Sequence, residues 1–386
     1  MNKEIQPMIV VVSLLSGDGP TGVETHFNLI MDYAQKNGIE VSLVTPYEGH
    51  WLLRKVMNGL RRMIQLFSLE FAVLWNRIIS YHIIRRRLRL LIPKNVDRNI
   101  TVYAQDPLSA AAALGARKNI YFRVVVVSHF NVSEASEMVE SGLTTEGSIL
   151  WRAIMRIERQ SLPRVNELIF VSKYMSQIVN KRLPWLSSVP QSIIHNFSSI
   201  PAKDSLIDVI QPRDLISIGT LEPRKNQQFL LHVLSACIQQ GYHYTLTLAG
   251  NGPDRENLEH LAVKLGITQQ VLFLGFVPNA ARYIRAHRIL THAAHIENMP
   301  LTLIEALAYG RPIIAAPAGG IPEIFSDGIE GRYWNLDDVD NAAEILISVL
   351  NDENVWNRMA SCAQDRFHQN FEPDVLGNRW MSVIIG

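Results

Sequence analysis

The sequence has very few cysteines. Of its 386 residues only Cys237 and Cys362 are cysteines, and they lie far apart in unrelated sequence patterns. A disulfide framework or a cysteine-based metal site needs several cysteines at short spacings. Both kinds of stabilisation are therefore excluded, and we expect a protein of a reducing compartment.

The chain also has little net charge. It contains 37 Lys or Arg and 36 Asp or Glu, which leaves a formal net charge of +1. Proteins that bind nucleic acid usually carry a marked basic excess, so the composition gives no support for a nucleic-acid partner. A hydrophobic fraction of 47% and a charged fraction of 19% are typical of a globular protein. The length allows two domains, each with its own core.

Uninterrupted hydrophobic runs of membrane-spanning length are absent. The most apolar stretch, residues 63–84, contains Glu70, Asn76, Arg77 and His82. A membrane-spanning helix needs about 20 predominantly apolar residues, so we predict none here. The beginning, MNKEIQPMIVVVSLL, has no typical cleavage site for a signal peptide, and we interpret it as a buried strand of a cytoplasmic protein.

The positive charge is concentrated in one region. Residues 51–123 contain fourteen Lys or Arg and three acidic residues. Within this region, the apolar residues of LLRKVMNGLRRMIQLF recur at helical spacing, opposite Arg54, Lys55, Arg61 and Arg62. This pattern fits a helix on an anionic membrane surface, and equally a helix that faces the core with a solvated basic side. A second basic cluster, IIRRRLRLLIPK at 83–94, favours the membrane interpretation.

Short apolar runs alternate with amphipathic stretches along the whole chain. This alternation is typical of parallel sheets covered by helices, and it predicts an α/β fold of two doubly wound, Rossmann-like domains that face a cleft. The polar stretch SSIPAKDSLIDVIQPRD at 198–214 is a suitable linker. The predicted strands are MIVVVSLL, EVSLVTP, ITVYAQ, RVVVVSHF, ELIFVS and QSIIHN in the first half, and DLISIGT, YTLTLAG, VLFLGF, RILTHA and PIIAAP in the second.

A glycine-rich turn follows the first predicted strand. Gly17, Gly19 and Gly22 form a G-x-G-x-x-G pattern in SLLSGDGPTGVETHF. A dinucleotide site also needs an acidic residue at the end of the second strand, but EVSLVTP ends in Thr45 and Pro46. The missing acidic residue argues against a site for a nicotinamide dinucleotide. A tight turn without a ligand and a phosphate-binding helix start both remain open.

Two adjacent cations follow a predicted strand in the second half. In SIGTLEPRKNQQFLLHVL, the strand ends near Gly219, and Arg224 and Lys225 lie in the turn before an amphipathic helix. The carboxyl end of a strand in an α/β sheet is where ligands bind, and two cations suit a diphosphate. The alternative is a pair of ordinary surface cations.

Two glutamates lie in and before the next short helix. In HIENMPLTLIEALAYGRPIIAAPAGG, Glu297 precedes the helix and Glu305 lies inside it. A carboxylate in an apolar helix is costly unless it binds something, and a ribose with two hydroxyls would satisfy Glu305. The backbone amides of Leu301 and Thr302, in the first turn, are suited to hold a phosphate.

The pair Glu297 and Glu305 forms an E-x7-E arrangement. Together with GTLEPRKN, LAGNGPDRENLEHLAVKLGI, VLFLGFVPN and GGIPEIFSDGIEG, in this order, it resembles glycosyltransferase family 4. The resemblance implies a retaining, nucleotide-sugar-dependent enzyme with the GT-B fold and no required metal or other cofactor. It implies an acceptor-side domain at 1–205, a donor-nucleotide domain at 206–368 and, at 369–386, a helix that crosses back to the first domain.

The resemblance also implies roles for residues of the second half. It assigns Arg224 and Lys225 to the donor diphosphate and to catalysis, as stabilisers of the leaving group. It assigns Glu305 to the ribose, and Glu297 to the hydroxyls of the transferred sugar and to catalysis.

In the first half, the resemblance places Gly19 and Gly22 at the donor phosphates. His129, at the end of VVVVSHF, matches a catalytic histidine beside the donor sugar, although taken alone it would be an ordinary histidine at a strand end. Asn196 lacks the glycine and aspartate that follow it in the family pattern, so it receives no ligand role.

The predicted reaction moves a hexose-type sugar from a UDP- or GDP-sugar to a glycan or lipid-linked acceptor, such as a polyprenyl-diphosphate-linked sugar of a bacterial surface polysaccharide. The basic region predicts peripheral attachment to an anionic membrane surface from the cytoplasmic side. Two alternatives remain. One is a sugar-nucleotide epimerase on the same fold, against which the E-x7-E spacing argues. The other is a non-catalytic nucleotide-sugar-binding protein, against which the intact cations and glutamates argue.

Overall fold

A computed structural model describes residues 7–17, 19, 21–47, 51–95, 98–117, 120–129, 133–199 and 213–386. The chain divides into two compact units. Unit 1 comprises Met1–His195 and Gly377–Gly386, and unit 2 comprises Asn196–Leu376. The divisions therefore fall at 195/196 and 376/377, where the sequence predicted 205/206 and 368/369. Most of the predicted linker at 198–214 lies outside the described residues.

Unit 1 contains a six-stranded, wholly parallel sheet in the order β2-β1-β3-β4-β5-β6. Its central strands are buried on both faces, which explains their continuous runs of valine and isoleucine. All six predicted strands of the first half are present. They are β1 (Pro7–Val12), β2 (Glu40–Val44), β3 (Asn99–Ala104), β4 (Arg123–Ser128), β5 (Glu167–Phe170) and β6 (Gln191–Ile193).

Most helices of unit 1 begin at a side chain that caps free backbone amides. The Thr21 hydroxyl accepts from the Glu24 amide, and Asp106, Ser133, Ser148 and Ser172 act in the same way at four later helices. The helices are α1 (Gly22–Lys36), α2 (Trp51–Phe67), α3 (Leu69–Leu91), α4 (Pro107–Ala116), α5 (Glu134–Glu140), α6 (Ile149–Ser161) and α7 (Lys173–Arg182).

Unit 2 has a second six-stranded parallel sheet in the order β12-β11-β10-β7-β8-β9. Five strands match predicted ones. The sixth, β12, was not predicted, because its sequence, Gly-Arg-Tyr, contains no apolar run. The strands are β7 (Arg213–Ile218), β8 (Leu246–Ala249), β9 (Val271–Gly275), β10 (His287–His292), β11 (Ile313–Ala315) and β12 (Gly331–Tyr333).

The strand order of unit 2 reverses direction between β7 and β10. Ligands of open α/β sheets bind beyond the carboxyl ends of the strands at such a point. The helices around this sheet are α8 (Gln227–Gln239), α9 (Arg255–Lys264), α10 (Leu301–Ala308), α11 (Val339–Leu350) and α12 (Glu353–Asn370). The last helix, α13 (Pro373–Ile385), belongs to unit 1 from Gly377 onward.

The two basic clusters of the sequence have different environments. At the end of α2, Leu60, Met63 and Phe67 are exposed, so these residues do not face a core within unit 1. The second cluster packs internally, because Ile84 and Leu88 of α3 are fully buried. Three of its four arginines are bound as well: Arg85 and Arg89 donate to the Gly115 carbonyl, and Arg87 donates to the Thr45 carbonyl. Arg86 is exposed. Most side chains of the second cluster therefore serve the packing of unit 1.

Across the described part of the chain, no helix combines the length and the apolar character needed to cross a bilayer.

Helix α13 is held against unit 1 by aromatic packing and hydrogen bonds. The Trp380 side chain is fully buried against the rings of His26 and Tyr103, and its indole donates to the His195 carbonyl at 3.0 Å. The close contact of α13 with α1 requires Gly377, since a Cβ atom there would lie 2.5 Å from Tyr33 Cζ.

We expect the Gly377→Ala variant to have a lower Tm than the wild type. The added methyl group must displace the buried Tyr33 ring, and overpacking of this kind costs about 1–3 kcal/mol. The matched control is Gly59→Ala, also within a helix, where a Cβ atom meets nothing within 4 Å. This control should leave the Tm unchanged or raise it. Equal Tm values for Gly377→Ala and the wild type, measured by circular dichroism, would contradict the packing described here.

Candidate functional site

The candidate site lies at the carboxyl ends of β7 and β10, where the strand order of unit 2 reverses. Backbone hydrogen bonds join the loops at this edge. The His295 amide donates to the Arg224 carbonyl at 3.2 Å, and the Gly320 amide donates to the Glu297 carbonyl at 3.0 Å. The loops after β7, β10 and β11 therefore form one connected surface.

Glycines allow these loops to approach each other so closely. Gly319 has a φ of +60°, and a Cβ atom there would lie 1.8 Å from the Glu297 carbonyl oxygen. A Cβ atom at Gly252 would lie 2.1 Å from the Leu221 carbonyl oxygen. Only glycine fits at either position without displacing backbone. The glycines of LAGNGP and GGIPE therefore shape the site.

The Glu297 carboxylate is the centre of a buried charge cluster. Its Oε1 accepts a hydrogen bond from Lys225 Nζ, and it lies 3.3 Å from His292 Nε2 and 3.9 Å from an Arg224 guanidinium nitrogen. Burial alone would raise the pKa of Glu297, but Lys225, His292 and Arg224 together hold it well below its usual range. Glu297 is therefore ionised at all physiological pH values.

His292 was not predicted from the sequence. Burial lowers the pKa of its imidazole, against the opposing effect of Glu297. The signal that could have identified it is its position, since it is the last residue of β10 and points to the same sheet edge as the loop of Glu297.

Arg224 keeps part of its charge accessible. One guanidinium nitrogen pairs with Glu222 at 2.9 Å, and the side chain remains 33% exposed, whereas that of Lys225 is 18% exposed. The two cations are therefore anchored at the site edge and still open to a ligand.

Helix α10 presents free amides and an unpaired carboxylate. Its N-cap residue is Pro300, which provides no capping side chain, so the amides of Leu301 and Thr302 stay available for an anion. Glu305 lies one turn further on, and among the described residues we find no hydrogen bond to its carboxylate. Burial raises the pKa of Glu305 to about 7. The two glutamates of the E-x7-E arrangement thus differ strongly in acidity.

The glycine-rich loop of unit 1 already holds an anion, the Glu24 side chain. Glu24 Oε1 accepts from the amides of Gly17 and Gly19, at 3.0 Å each, and Oε2 accepts from the Thr21 hydroxyl at 2.9 Å. Glu24 is 2% exposed. A phosphate bound to the Gly19 amide would have to replace this carboxylate. Gly22 is the first residue of α1, and a Cβ atom there would meet nothing within 4 Å.

His129 lies at the carboxyl edge of the sheet of unit 1, directly after β4. Burial lowers the pKa of its imidazole to about 3, so the ring is neutral at physiological pH. Its Nε2 lies 3.2 Å from Gln105 Oε1, and its ring is in edge contact with that of His26 at 4.7 Å. The His26 imidazole in turn hydrogen-bonds the Tyr103 hydroxyl at 2.8 Å.

The predicted site residues fall into two groups, one in each unit. Gly19, Gly22 and His129 belong to unit 1. Arg224, Lys225, Glu297, Leu301, Thr302 and Glu305 belong to unit 2. Among the residues with described positions, no group of three or more His, Cys, Asp or Glu side chains is arranged to bind a metal ion.

Two family models match the chain, one for each half. The model described as Glycosyltransferase Family 4 matches residues 20–197, and the model described as Glycosyl transferases group 1 matches residues 207–366. All predicted site residues of unit 2 lie within the second match.

Curated relatives include an N-acetyl-alpha-D-glucosaminyl L-malate synthase of Bacillus anthracis, 29% identical over 44% of this chain and 44% of that protein. Another is a GalNAc-alpha-(1->4)-GalNAc-alpha-(1->3)-diNAcBac-PP-undecaprenol alpha-1,4-N-acetyl-D-galactosaminyltransferase of Campylobacter jejuni. It is 26% identical over 61% of this chain and 63% of that protein. Both matches span less than two thirds of the relative's length.

Among solved structures, that of Anabaena HepE in complex with UDP and glucose has a TM-score of 0.66 to this chain. The sequence identity is 17%, and the match covers 97% of this chain and 99% of the other. At this identity the similarity concerns the fold.

We expect the stability of the protein to fall between about pH 5 and pH 8 in a way that depends on Glu305. The unfolded chain loses this proton near pH 4.5, whereas the folded chain keeps it until about pH 7. Over this window the unfolded state binds fewer protons, so the free energy of unfolding decreases as the pH rises. The Tm of the Glu305→Gln variant should therefore decrease less between pH 5 and pH 8 than the Tm of the wild type.

The control for this measurement is Glu344→Gln, which changes an exposed glutamate of the same unit. It should follow the wild-type profile. Parallel Tm profiles for Glu305→Gln and the wild type would contradict the raised pKa.

Proposed function

Because the chain belongs to glycosyltransferase family 4 and has the GT-B fold, we propose that it is a retaining hexosyltransferase. It takes the sugar from a nucleotide-sugar donor and transfers it to a lipid-linked glycan acceptor in the synthesis of a bacterial surface polysaccharide.

The observation that carries this proposal is the cluster of Arg224, Lys225 and Glu297 at the switch point of unit 2. A departing nucleoside diphosphate develops negative charge, and two anchored cations stabilise that charge more strongly in the transition state than in the ground state. The amides of Leu301 and Thr302 add a third positive partner. These groups supply what a metal ion supplies in other transferases, so the proposed reaction needs no metal.

The two glutamates have separate proposed tasks. Glu297 stays ionised, so it accepts hydrogen bonds from hydroxyls of the transferred sugar while it remains paired with Lys225. Glu305 has no hydrogen-bond partner among the described residues, and the two hydroxyls of a ribose would supply two. A ribose there would also favour the ionised form of Glu305.

Unit 1 provides the acceptor side in this proposal. His129 is neutral, so it offers the donor sugar a hydrogen bond without adding charge. Gly19 and Gly22 contact the donor phosphates only if the Glu24 carboxylate moves away from the Gly19 amide. In the proposed mechanism the acceptor attacks on the face from which the diphosphate leaves, which retains the configuration, and the diphosphate takes the acceptor proton.

The proposed lipid-linked acceptor places the protein at the cytoplasmic side of an anionic membrane. Supporting this, the end of α2 exposes Leu66 and Phe67 to 84% and 90%, next to the exposed cations Arg61 and Arg62. Apolar side chains beside cations are typical of helices that bind anionic membrane surfaces. One curated relative also carries PP-undecaprenol in its name.

Two other functions are compatible with the same fold. A sugar-nucleotide epimerase would convert the donor in the absence of an acceptor, and a non-catalytic binding protein would bind the donor and never consume it. Neither the epimerase nor the binding protein needs an acceptor in addition to the two cations at the diphosphate.

We expect one nucleotide series, UDP or GDP, to raise the Tm of the protein, with EDTA present throughout. A ligand that binds only the folded state stabilises it by mass action.

With the sugar nucleotide of that series, Lys225→Ala should lower kcat/KM for transfer at least a hundredfold, since it removes a transition-state contact. The control is Lys264→Ala, which removes an exposed cation of α9 and should leave kcat/KM unchanged.

A kcat/KM of Lys225→Ala within about threefold of the wild type would refute the proposed role of Lys225. Consumption of the sugar nucleotide without an acceptor would favour the epimerase, and a Tm shift without any turnover would favour the binding protein.

We expect the protein to float with vesicles that contain phosphatidylglycerol and to float far less with vesicles of phosphatidylcholine alone. The Leu66→Ser/Phe67→Ser variant should lose most of this binding, because it removes two exposed apolar side chains from α2. The matched control, Val263→Ser/Leu272→Ser, removes two exposed apolar side chains of unit 2 and should float like the wild type. Equal flotation of all three proteins would exclude the end of α2 as the attachment surface.

A further inference from the structure

Unit 1 contains an apolar groove that has no part in the site described above. It lies between α3, α4 and α6 and has a volume of about 500 Å³, which is within the usual range of ligand sites. A ligand of matching shape gains free energy by binding there, because it removes the apolar walls from water. Its walls are formed mainly by Leu74, Ile78, Leu108, Leu114, Ile154 and Ile157.

The polar side chains that line the groove are positively charged or neutral, and none is acidic. Arg156 and Arg164 are exposed, and in the described part of the chain neither forms an ion pair. Arg77 is buried and binds Glu134 through both terminal nitrogens at 2.7 Å, while its Nε has no hydrogen-bond partner among the described residues. The groove therefore combines apolar walls with a cationic rim.

The groove continues into the exposed apolar surface at the start of α3. Phe71, Leu74 and Ile78 lie three and four residues apart, so they share one face of the helix. Phe71 and Ile78 are exposed to 54% and 49%, whereas Leu74 is half-buried and lines the groove.

A hydrogen-bonded contact joins the start of α3 to α6 at the same place. Glu70 Oε1 accepts from the Thr144 hydroxyl and from the Leu150 amide, at 3.0 Å each. Leu150 lines the groove as well. The exposed Phe67, at the end of α2, directly precedes this start of α3 in the chain.

We propose that this groove binds the aliphatic chain of the lipid-linked acceptor and that Arg156 and Arg164 bind its phosphate. The inference rests on the proposed function, since it specifies how the acceptor is held. A free nucleotide or sugar would leave its polar groups unpaired against the apolar walls. A single aliphatic chain that carries an anionic phosphate matches both the walls and the rim.

The test measures binding of monomeric dodecyl phosphate to the full-length protein by isothermal titration calorimetry, without any donor. We expect saturable binding of one molecule per chain. The Ala153→Trp variant places an indole in the groove, because Ala153 is half-buried and lines it. It should weaken binding at least tenfold. The matched control is Ser187→Trp, which adds the same indole at an exposed position of unit 1 outside the groove and should bind within twofold of the wild type.

The role of the rim is tested with Arg156→Gln/Arg164→Gln, which changes exposed side chains only and keeps the groove open. This variant should also bind dodecyl phosphate at least tenfold more weakly. Dodecyl maltoside has the same chain without the phosphate and should bind more weakly to the wild type, and inorganic phosphate should not compete. Equal affinity for dodecyl maltoside, or competition by inorganic phosphate, would overturn the proposed pairing of chain and phosphate.

Absence of saturable binding, or unchanged binding by Ala153→Trp, would overturn the site itself. If Ala153→Trp fails to fold, the arginine variant still decides, because unchanged binding there refutes the proposal. The result is independent of catalysis. If dodecyl phosphate binds and Lys225→Ala is fully active, the catalytic proposal is refuted and the groove proposal stands. If dodecyl phosphate does not bind and Lys225→Ala is inactive, the groove proposal is refuted and the catalytic proposal stands.

Discussion

The ion pair between Lys225 and Glu297 connects the two loops on which the candidate site depends. Lys225 follows β7 and Glu297 follows β10. These two strands are neighbours in the sheet of unit 2, at the point where its strand order reverses. A buried carboxylate is tolerated only when it is paired and hydrogen-bonded. Lys225, His292 and Arg224 meet this requirement for Glu297 and thereby fix the positions of both loops before any ligand arrives. The cost of burying the charge is thus offset by groups that the proposed chemistry also needs.

The opposite pKa shifts of the two glutamates follow from their different surroundings. Glu297 is buried and Glu305 is half-buried, and burial alone raises the pKa of each. At Glu297 the cations Lys225 and Arg224 and a hydrogen bond from His292 reverse this effect, whereas Glu305 has no such neighbour and keeps a pKa of about 7. A carboxyl group that is left without compensation in this way is typical of a functional position. In the proposed function, the nucleotide supplies the partners that the protein does not provide for Glu305.

Much of this architecture follows from local sequence patterns. Eleven of the strands could be predicted because buried parallel strands appear as short apolar runs, and α10 because Pro300 and Gly310 delimit it. Patterns of this kind are local. The role of Glu24 was missed although its contacts are local: Thr21 and Glu24 form a capping box, and the glycines before it show only that the backbone can turn, not which anion its amides bind. His292 was missed because its contact with Glu297, five residues later, depends on the path of the loop after β10. The strand β12 has the sequence Gly-Arg-Tyr, which contains no apolar run.

The basic region shows how one sequence signal can arise from two physical causes. In α3, arginines bind carbonyl groups such as that of Gly115, and Ile84 and Leu88 fill the core, so the charge there is structural. At the end of α2 and the start of α3, large apolar side chains are exposed instead, and those of α3 lead to a groove whose rim is cationic. Composition and periodicity cannot separate these cases, because both place arginines opposite apolar residues. Burial separates them, and it limits the surface available to a membrane or a lipid to the part of the region that the core does not use.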